Sequence, residues 1–98
     1  EILTALSPPG SVSGAPKSSA TQVIGANEIA RGPYCGALGW VEGNTAVLSV
    51  AIRAFWKDAN INFGTGAGIT WGSDARSEWE ETQLKAKRLI AIAGGELL

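Results

Sequence analysis

Between residues 35 and 64 the apolar and polar positions alternate with a period of two, and on either side they recur with the period of a helix. Three strands are expected: Cys35 to Val41, Ala46 to Trp56, and Ile61 to about Gly64. The second is the longest and is rich in β-branched and aromatic residues. Glu42-Gly43-Asn44-Thr45 reads as a hairpin turn, and Lys57-Asp58-Ala59-Asn60 turns the chain again. Consecutive strands with short turns make a three-stranded antiparallel meander.

The flanks read as helices. Residues 1–7 look like the tail of a helix, stopped by Pro8-Pro9-Gly10. Ser11 to Lys17 forms a small-residue loop. Pro16 suits the first turn of the next helix, Ser13 its cap, and Ala20, Val23 and Ile24 its apolar face. Arg31-Gly32-Pro33 is a break. After the meander, Ser73 or Asp74 caps a last helix over about 75–93. Its apolar stripe is Trp79, Ala86, Leu89, Ile90 and Ala93, and Gly94-Gly95 ends it. The predicted class is α+β, a helix, a three-stranded meander and a helix, in one unit over residues 1–98.

Composition narrows the function. The chain has 98 residues, 45% hydrophobic and 17% charged, so it is neither a disordered tail nor more than one domain. A net charge of −1 argues against a nucleic-acid partner, which calls for a basic excess. No apolar run is long enough for a membrane span, and no signal-peptide pattern is present. One cysteine excludes an internal disulfide, and the absence of histidine excludes His-based triads. Methionine is absent even at position 1, and the chain opens inside an ordered stretch. The expectation is a piece of a larger protein. A helix–meander–helix of this size buries little by itself and leaves sheet edges for another part to cover.

Several residue groups could carry chemistry. Glu78 and Glu81 are three apart and share a helix face, which Lys85 joins four residues later. Two carboxylates on a rigid helix suit a hard cation such as Mg²⁺. The plain alternative is an acidic first turn with a Glu81–Lys85 pair. Gly64-Thr65-Gly66-Ala67-Gly68 could bring backbone N–H groups close to an anion, or could simply bend the end of a strand. The loop from Gly10 to Ser18 fails the Walker pattern, because Pro16 stands where a glycine is needed. Arg53 interrupts an apolar strand and calls for a carboxylate partner, from the protein or from a substrate. Tyr34 could place its hydroxyl at the same end of the sheet, or be a core tyrosine. Cys35 reads as a small buried hydrophobe. Together these groups fit a metal-assisted site for a small dicarboxylate. No residue looks like an activated nucleophile or a tuned base.

The order of the motifs resembles a known family. Ser11-Val12-Ser13-Gly14-Ala15-Pro16-Lys17 comes first, then Arg31-Gly32-Pro33-Tyr34-Cys35-Gly36-Ala37-Leu38-Gly39. Ala51-Ile52-Arg53 and Gly66-Ala67-Gly68-Ile69 follow, and Glu78-Trp79-Glu80-Glu81-Thr82 with Lys85 closes the series. This is similar to the C-terminal part of the chorismate-utilising enzymes, whose members include anthranilate synthase component I, aminodeoxychorismate synthase component I, isochorismate synthase and salicylate synthase. The resemblance implies a fragment of their larger chorismate-binding α/β fold, acting in the cytoplasm. It implies that Glu78 and Glu81 coordinate Mg²⁺, which holds the ring carboxylate of chorismate, with Lys85 beside them. It implies that Tyr34 and Arg53 bind the enolpyruvyl carboxylate, that the N–H groups of Gly66, Ala67 and Gly68 assist, and that Ser11 lines the pocket. No catalytic residue is expected within the chain, since the family's general acid, general base and lysine nucleophile lie upstream of residue 1.

Tyr34-Cys35-Gly36 and the Glu78 to Thr82 stretch look most like the aminodeoxychorismate synthase branch, which makes 4-amino-4-deoxychorismate for folate. The implied partners are the missing N-terminal part and a glutamine amidotransferase, separate or fused, that supplies ammonia. Anthranilate synthase component I and isochorismate synthase are the alternatives within the family. A small non-enzymatic α+β binding module is the alternative outside it.

Overall fold

The computed structural model describes residues 1–95; the end of the 1–98 unit expected from the sequence, residues 96–98, lies outside the described residues. Helices α1 (Ile2–Leu6), α2 (Gly10–Ser13) and α3 (Lys17–Asn27) come first. Strands β1 (Ala37–Glu42), β2 (Thr45–Val50), β3 (Phe55–Lys57) and β4 (Ile61–Phe63) follow, and helix α4 (Ala75–Ile92) comes last. The class is α+β, in the order helix, antiparallel strands, helix. The chain divides into two compact units, Glu1–Ile52 and a second from Arg53 onward.

In the first unit, the loop expected over Ser11 to Lys17 contains a helical turn, α2. The N–H groups of Val12 and Ser13 both reach the Pro9 carbonyl, at 3.1 and 3.0 Å. The Ser13 hydroxyl donates to the same carbonyl at 2.7 Å, so Ser13 turns back into its own helix and does not cap α3. Helix α3 starts after Pro16 instead, and the Lys17 ammonium donates to the Ala5 carbonyl at 2.7 Å, tying α3 to the end of α1.

β1 and β2 pair antiparallel from Ala37↔Val50 to Glu42↔Thr45 around a two-residue turn. Gly43 takes φ +55° there, as such a turn requires. Apolar side chains on both strands are open to solvent, among them Leu38, Trp40 and Val47. Among the described residues, Cys35 and Ala86 alone have fully buried apolar side chains.

The meander is not one sheet. β1 pairs only with β2, and β3 only with β4. The long middle strand expected over Ala46 to Trp56 breaks between Val50 and Phe55. Arg53 has φ +51°, a left-handed conformation that no strand can pass through. Just before it, the Ile52 N–H folds back onto the Val50 carbonyl at 2.9 Å. Cys35, expected to open the first strand, has φ +66° and lies outside β1. Its N–H still reaches the Ala51 carbonyl at 2.9 Å, and the Ala51 N–H reaches Gly36 at 2.8 Å.

In the second unit, Phe55 and Phe63 face each other across β3 and β4 with ring centroids 4.9 Å apart. The Asp58 carboxylate accepts from the Asn60 N–H at 2.9 Å and from the Asn62 amide at 3.1 Å, which fixes the turn. Those two donors hold its carboxyl below the usual range. Asp74 caps α4, accepting from the Ser77 N–H and hydroxyl at 2.9 Å each. At the far end Gly94 takes φ +76°, as a terminating glycine should.

The packed face of α4 differs from the stripe expected. Ala86, Leu89 and Ile90 are at least half-buried, but Trp79 and Ala93 are exposed. The face is completed by Glu78, Thr82 and Lys85, all half-buried. The reason lies outside the helix: the Thr82 carbonyl accepts a hydrogen bond from the glycine segment after β4, and the Lys85 ammonium donates one to it.

Candidate functional site in the second unit

Three of the sequence candidates meet on α4. The Lys85 ammonium lies 2.9 Å from a Glu81 carboxylate oxygen, the pair expected from their spacing. The same ammonium donates to the Gly66 carbonyl at 3.4 Å, so the helix and the glycine segment are joined at the carboxylates. Glu78 lies one turn before Glu81 on the same side and is half-buried. Glu80 is turned away and pairs with Arg76 at 3.1 Å on the exposed face.

The glycine segment is tethered a second time. The Thr65 hydroxyl donates to the Thr82 carbonyl at 3.0 Å. The Thr82 hydroxyl in turn donates to the Glu78 carbonyl at 2.9 Å. Thr65, Gly66 and Ala67 are half-buried, while Gly68 is exposed. The third strand, expected to reach about Gly64, stops at Phe63, so the whole stretch lies beyond the end of β4. Among the described residues the backbone beyond it joins no strand ladder.

The donor set at α4 is two carboxylates, hard oxygens of the kind Mg²⁺ takes. Two acids leave most of an octahedral shell to water and to other groups. Among the described residues no cluster of three Asp, Glu, Cys or His side chains forms. The two acids alone do not complete a cation site, and Glu81 is paired with Lys85.

Ser11 and Tyr34 belong to the first unit. Ser11 is exposed on α2. Tyr34 is half-buried between α3 and β1 in the chain, and Cys35 beside it is buried, with its thiol 3.9 Å from the Val12 carbonyl. Burial pushes the Tyr34 phenol up to about 12, and the neighbouring Cys35 thiol adds to the shift. The sign is that of an acid whose charged form is disfavoured. Tyr34 stays protonated through neutral pH and can donate a hydrogen bond.

Sequence reasoning missed two features. Arg31 and Glu28 form a bidentate pair at 2.7 and 2.8 Å, and the guanidinium lies 5.6 Å from the centre of the Tyr34 ring. Their i,i+3 spacing was the available signal. The hydrogen bond with Glu28 holds that carboxyl below its usual range and keeps Arg31 charged. The other omission is Thr65, the only side chain in the glycine run able to make a hydrogen bond. Arg53 opens the second unit and is exposed. Its left-handed backbone takes it out of the strand expected over Ala46 to Trp56.

The chain is similar to known proteins. The chorismate binding enzyme family matches residues 1–91. Anthranilate synthase component 1 of Neisseria meningitidis serogroup A is 44% identical over 96 residues, covering 95% of this chain and 20% of that protein. Anthranilate synthase component 1 of Saccharolobus solfataricus is 42% identical over 97 residues, covering 95% of this chain and 23% of that protein. An uncharacterized PabA-like protein of Haemophilus influenzae is 42% identical over 98 residues, covering 98% of this chain and 29% of that protein. The chain thus spans 20% to 29% of the length of these curated relatives. No solved structure matches. No helix among the described residues is long and apolar enough to cross a membrane.

Proposed function

The chain belongs to the chorismate-binding enzyme family, and from that premise we propose that it is part of an enzyme that aminates chorismate at C4. The product is 4-amino-4-deoxychorismate, formed by addition of ammonia and loss of water. The observation that carries this reading is the junction at α4, where Glu81, Lys85 and the Gly66 carbonyl are joined beside Glu78.

Each residue has a distinct part. Glu78 and Glu81 would hold Mg²⁺ against a ring carboxylate. The ion would supply a fixed positive charge that binds and orients the substrate. Lys85 neutralises part of the acidic pair and keeps the glycine segment in place. By the resemblance, Tyr34 and Arg53 would bind the enolpyruvyl carboxylate, and the N–H groups of Gly66, Ala67 and Gly68 would help with a carboxylate. Ser11 would line the pocket. Further Mg²⁺ ligands, the general acid and base, and the attacking lysine would come from other parts of the enzyme. Ammonia would come from a glutamine amidotransferase, fused or separate.

The C4 assignment rests on the likeness of Tyr34-Cys35-Gly36 and of Glu78 to Thr82 to the aminodeoxychorismate synthase branch. A second reading, anthranilate formation, is favoured by the names of the relatives from Neisseria and Saccharolobus. The two are separated by chromatography of the products formed by the complete gene product from chorismate, Mg²⁺ and ammonium. The expected product is aminodeoxychorismate. Anthranilate would keep the site and move the amination to the other ring position. Unconsumed chorismate, with active controls alongside, would overturn both readings and leave a binding module.

A further inference from the structure

We infer that Thr65 is a positioning residue for the Gly66–Gly68 backbone, acting through its hydrogen bond to the Thr82 carbonyl of α4. The inference rests on the proposal that these N–H groups receive a substrate carboxylate.

The physical need is plain. Gly64-Thr65-Gly66-Ala67-Gly68 has three glycines in five residues and lies beyond the end of β4. Glycine loses more conformational freedom on ordering than any other residue. A run of this kind presents its N–H groups in one geometry only if something else holds it. Thr65 is its one side chain that can make a hydrogen bond. Its hydroxyl donates to the Thr82 carbonyl at 3.0 Å from a half-buried position. A helix carbonyl bonded within its own helix keeps a second lone pair for such a donor. The next residue, Gly66, is held by Lys85 at 3.4 Å.

The two tethers therefore fall on consecutive residues of the segment. On α4 they fall on Thr82 and Lys85, one turn apart and on the side that carries Glu78 and Glu81. Thr82 is further fixed by its own hydroxyl on the Glu78 carbonyl at 2.9 Å. The chain of bonds from Thr65 through Thr82 to Glu78 sets the position of the glycine N–H groups relative to the carboxylates. A ligand spanning a cation at the acids and an anion site at the glycines would depend on that spacing. Lys85 alone cannot set it, since its ammonium is shared with Glu81 and sits on a flexible stem.

The test uses the complete gene product with Thr65→Val, which keeps the shape and removes the hydroxyl, and Thr65→Ser, which keeps the donor. Hydrogen exchange reads the tether, and steady-state kinetics with chorismate reads the site. Loss of one hydrogen bond predicts a rise in KM for chorismate of about fivefold to tenfold in Thr65→Val, with Mg²⁺ activation little changed. Exchange at residues 66–68 should quicken in the same variant, and Thr65→Ser should restore both. Unchanged exchange in Thr65→Val would overturn the tether, whatever the turnover. Faster exchange with unchanged KM would overturn the carboxylate assignment of the glycines. A Thr65→Ser variant as impaired as Thr65→Val would show that the methyl group matters and not the hydroxyl, and would overturn the positioning role.

Discussion

Replacing Glu81 with Gln should lower kcat/KM for chorismate about 100-fold or more at fixed Mg²⁺ while leaving the fold in place. The amide keeps the shape of the side chain and removes the charge that a hard cation needs. Even changes to groups that only orient a metal ligand cost about 10- to 100-fold, so loss of a direct ligand should cost at least that. A 100-fold loss is about 3 kcal/mol of transition-state stabilisation. The structural cost is much smaller. Glu81 pairs with Lys85 at 2.9 Å, but their side chains are 55% and 34% exposed. An exposed pair four residues apart on a helix contributes about 0.3–0.5 kcal/mol. The two effects differ enough to be told apart by measuring turnover and melting temperature on the same preparation. Raising Mg²⁺ should recover part of the lost rate. Wild-type turnover in Glu81→Gln would remove this carboxylate from the site. Equal losses of turnover and folded protein would make its role structural.

The second large effect concerns the first unit. Gly39→Ala should lower the melting temperature of the chain by roughly 10 °C or more, from a cost of about 2 kcal/mol. Gly39 pairs with Leu48 across the hairpin. A Cβ at Gly39 would collide with the Val47 carbonyl oxygen and lie 2.9 Å from the Leu48 Cα. These are backbone atoms, so no side-chain rotation relieves the clash. The strands would have to separate, and a two-stranded hairpin open to solvent has little else to hold it. Gly43→Ala provides the contrast. Gly43 has φ +55° but open space around it, so its substitution costs only the left-handed backbone, about 1–2 kcal/mol. Gly43→Asn should cost less still. Thermal unfolding followed by circular dichroism ranks the three. A Gly39→Ala hairpin that melts with the wild type would contradict the close approach of the strands.

Helix α4 was the most legible element. Its expected span of about 75–93 differs from Ala75–Ile92 only at the last residue, and the cap is one of the two residues named for it. Caps, a terminating glycine and a long period leave little freedom there. Which face of α4 packs was less accessible. Periodicity groups Trp79 with Ala86 and Leu89, yet Trp79 is 60% exposed while the Glu78–Thr82–Lys85 side is half-buried. That choice is made by hydrogen bonds from Thr65 and Lys85 across 17 and 19 residues, which no local pattern contains.

The hairpin turns were readable because Gly43 and Asp58 state their turn chemistry. The break inside the expected middle strand was not. An apolar run reads as strand whatever its backbone does, and Arg53 is not a residue that announces a left-handed conformation. The candidate acids, Lys85 and the glycines were legible from type and spacing. Thr65 was passed over because a threonine among glycines has no pattern of its own.

We propose above all that Glu78 and Glu81 act on chorismate through Mg²⁺. The most direct test is the affinity of the complete gene product for chorismate, measured by calorimetry with and without the metal. If the carboxylates clamp the substrate through the ion, Mg²⁺ should tighten chorismate about tenfold or more. Chorismate should then tighten Mg²⁺ by the same factor, because the two binding equilibria are linked. Chorismate affinity that stays the same at every Mg²⁺ concentration would contradict the claim.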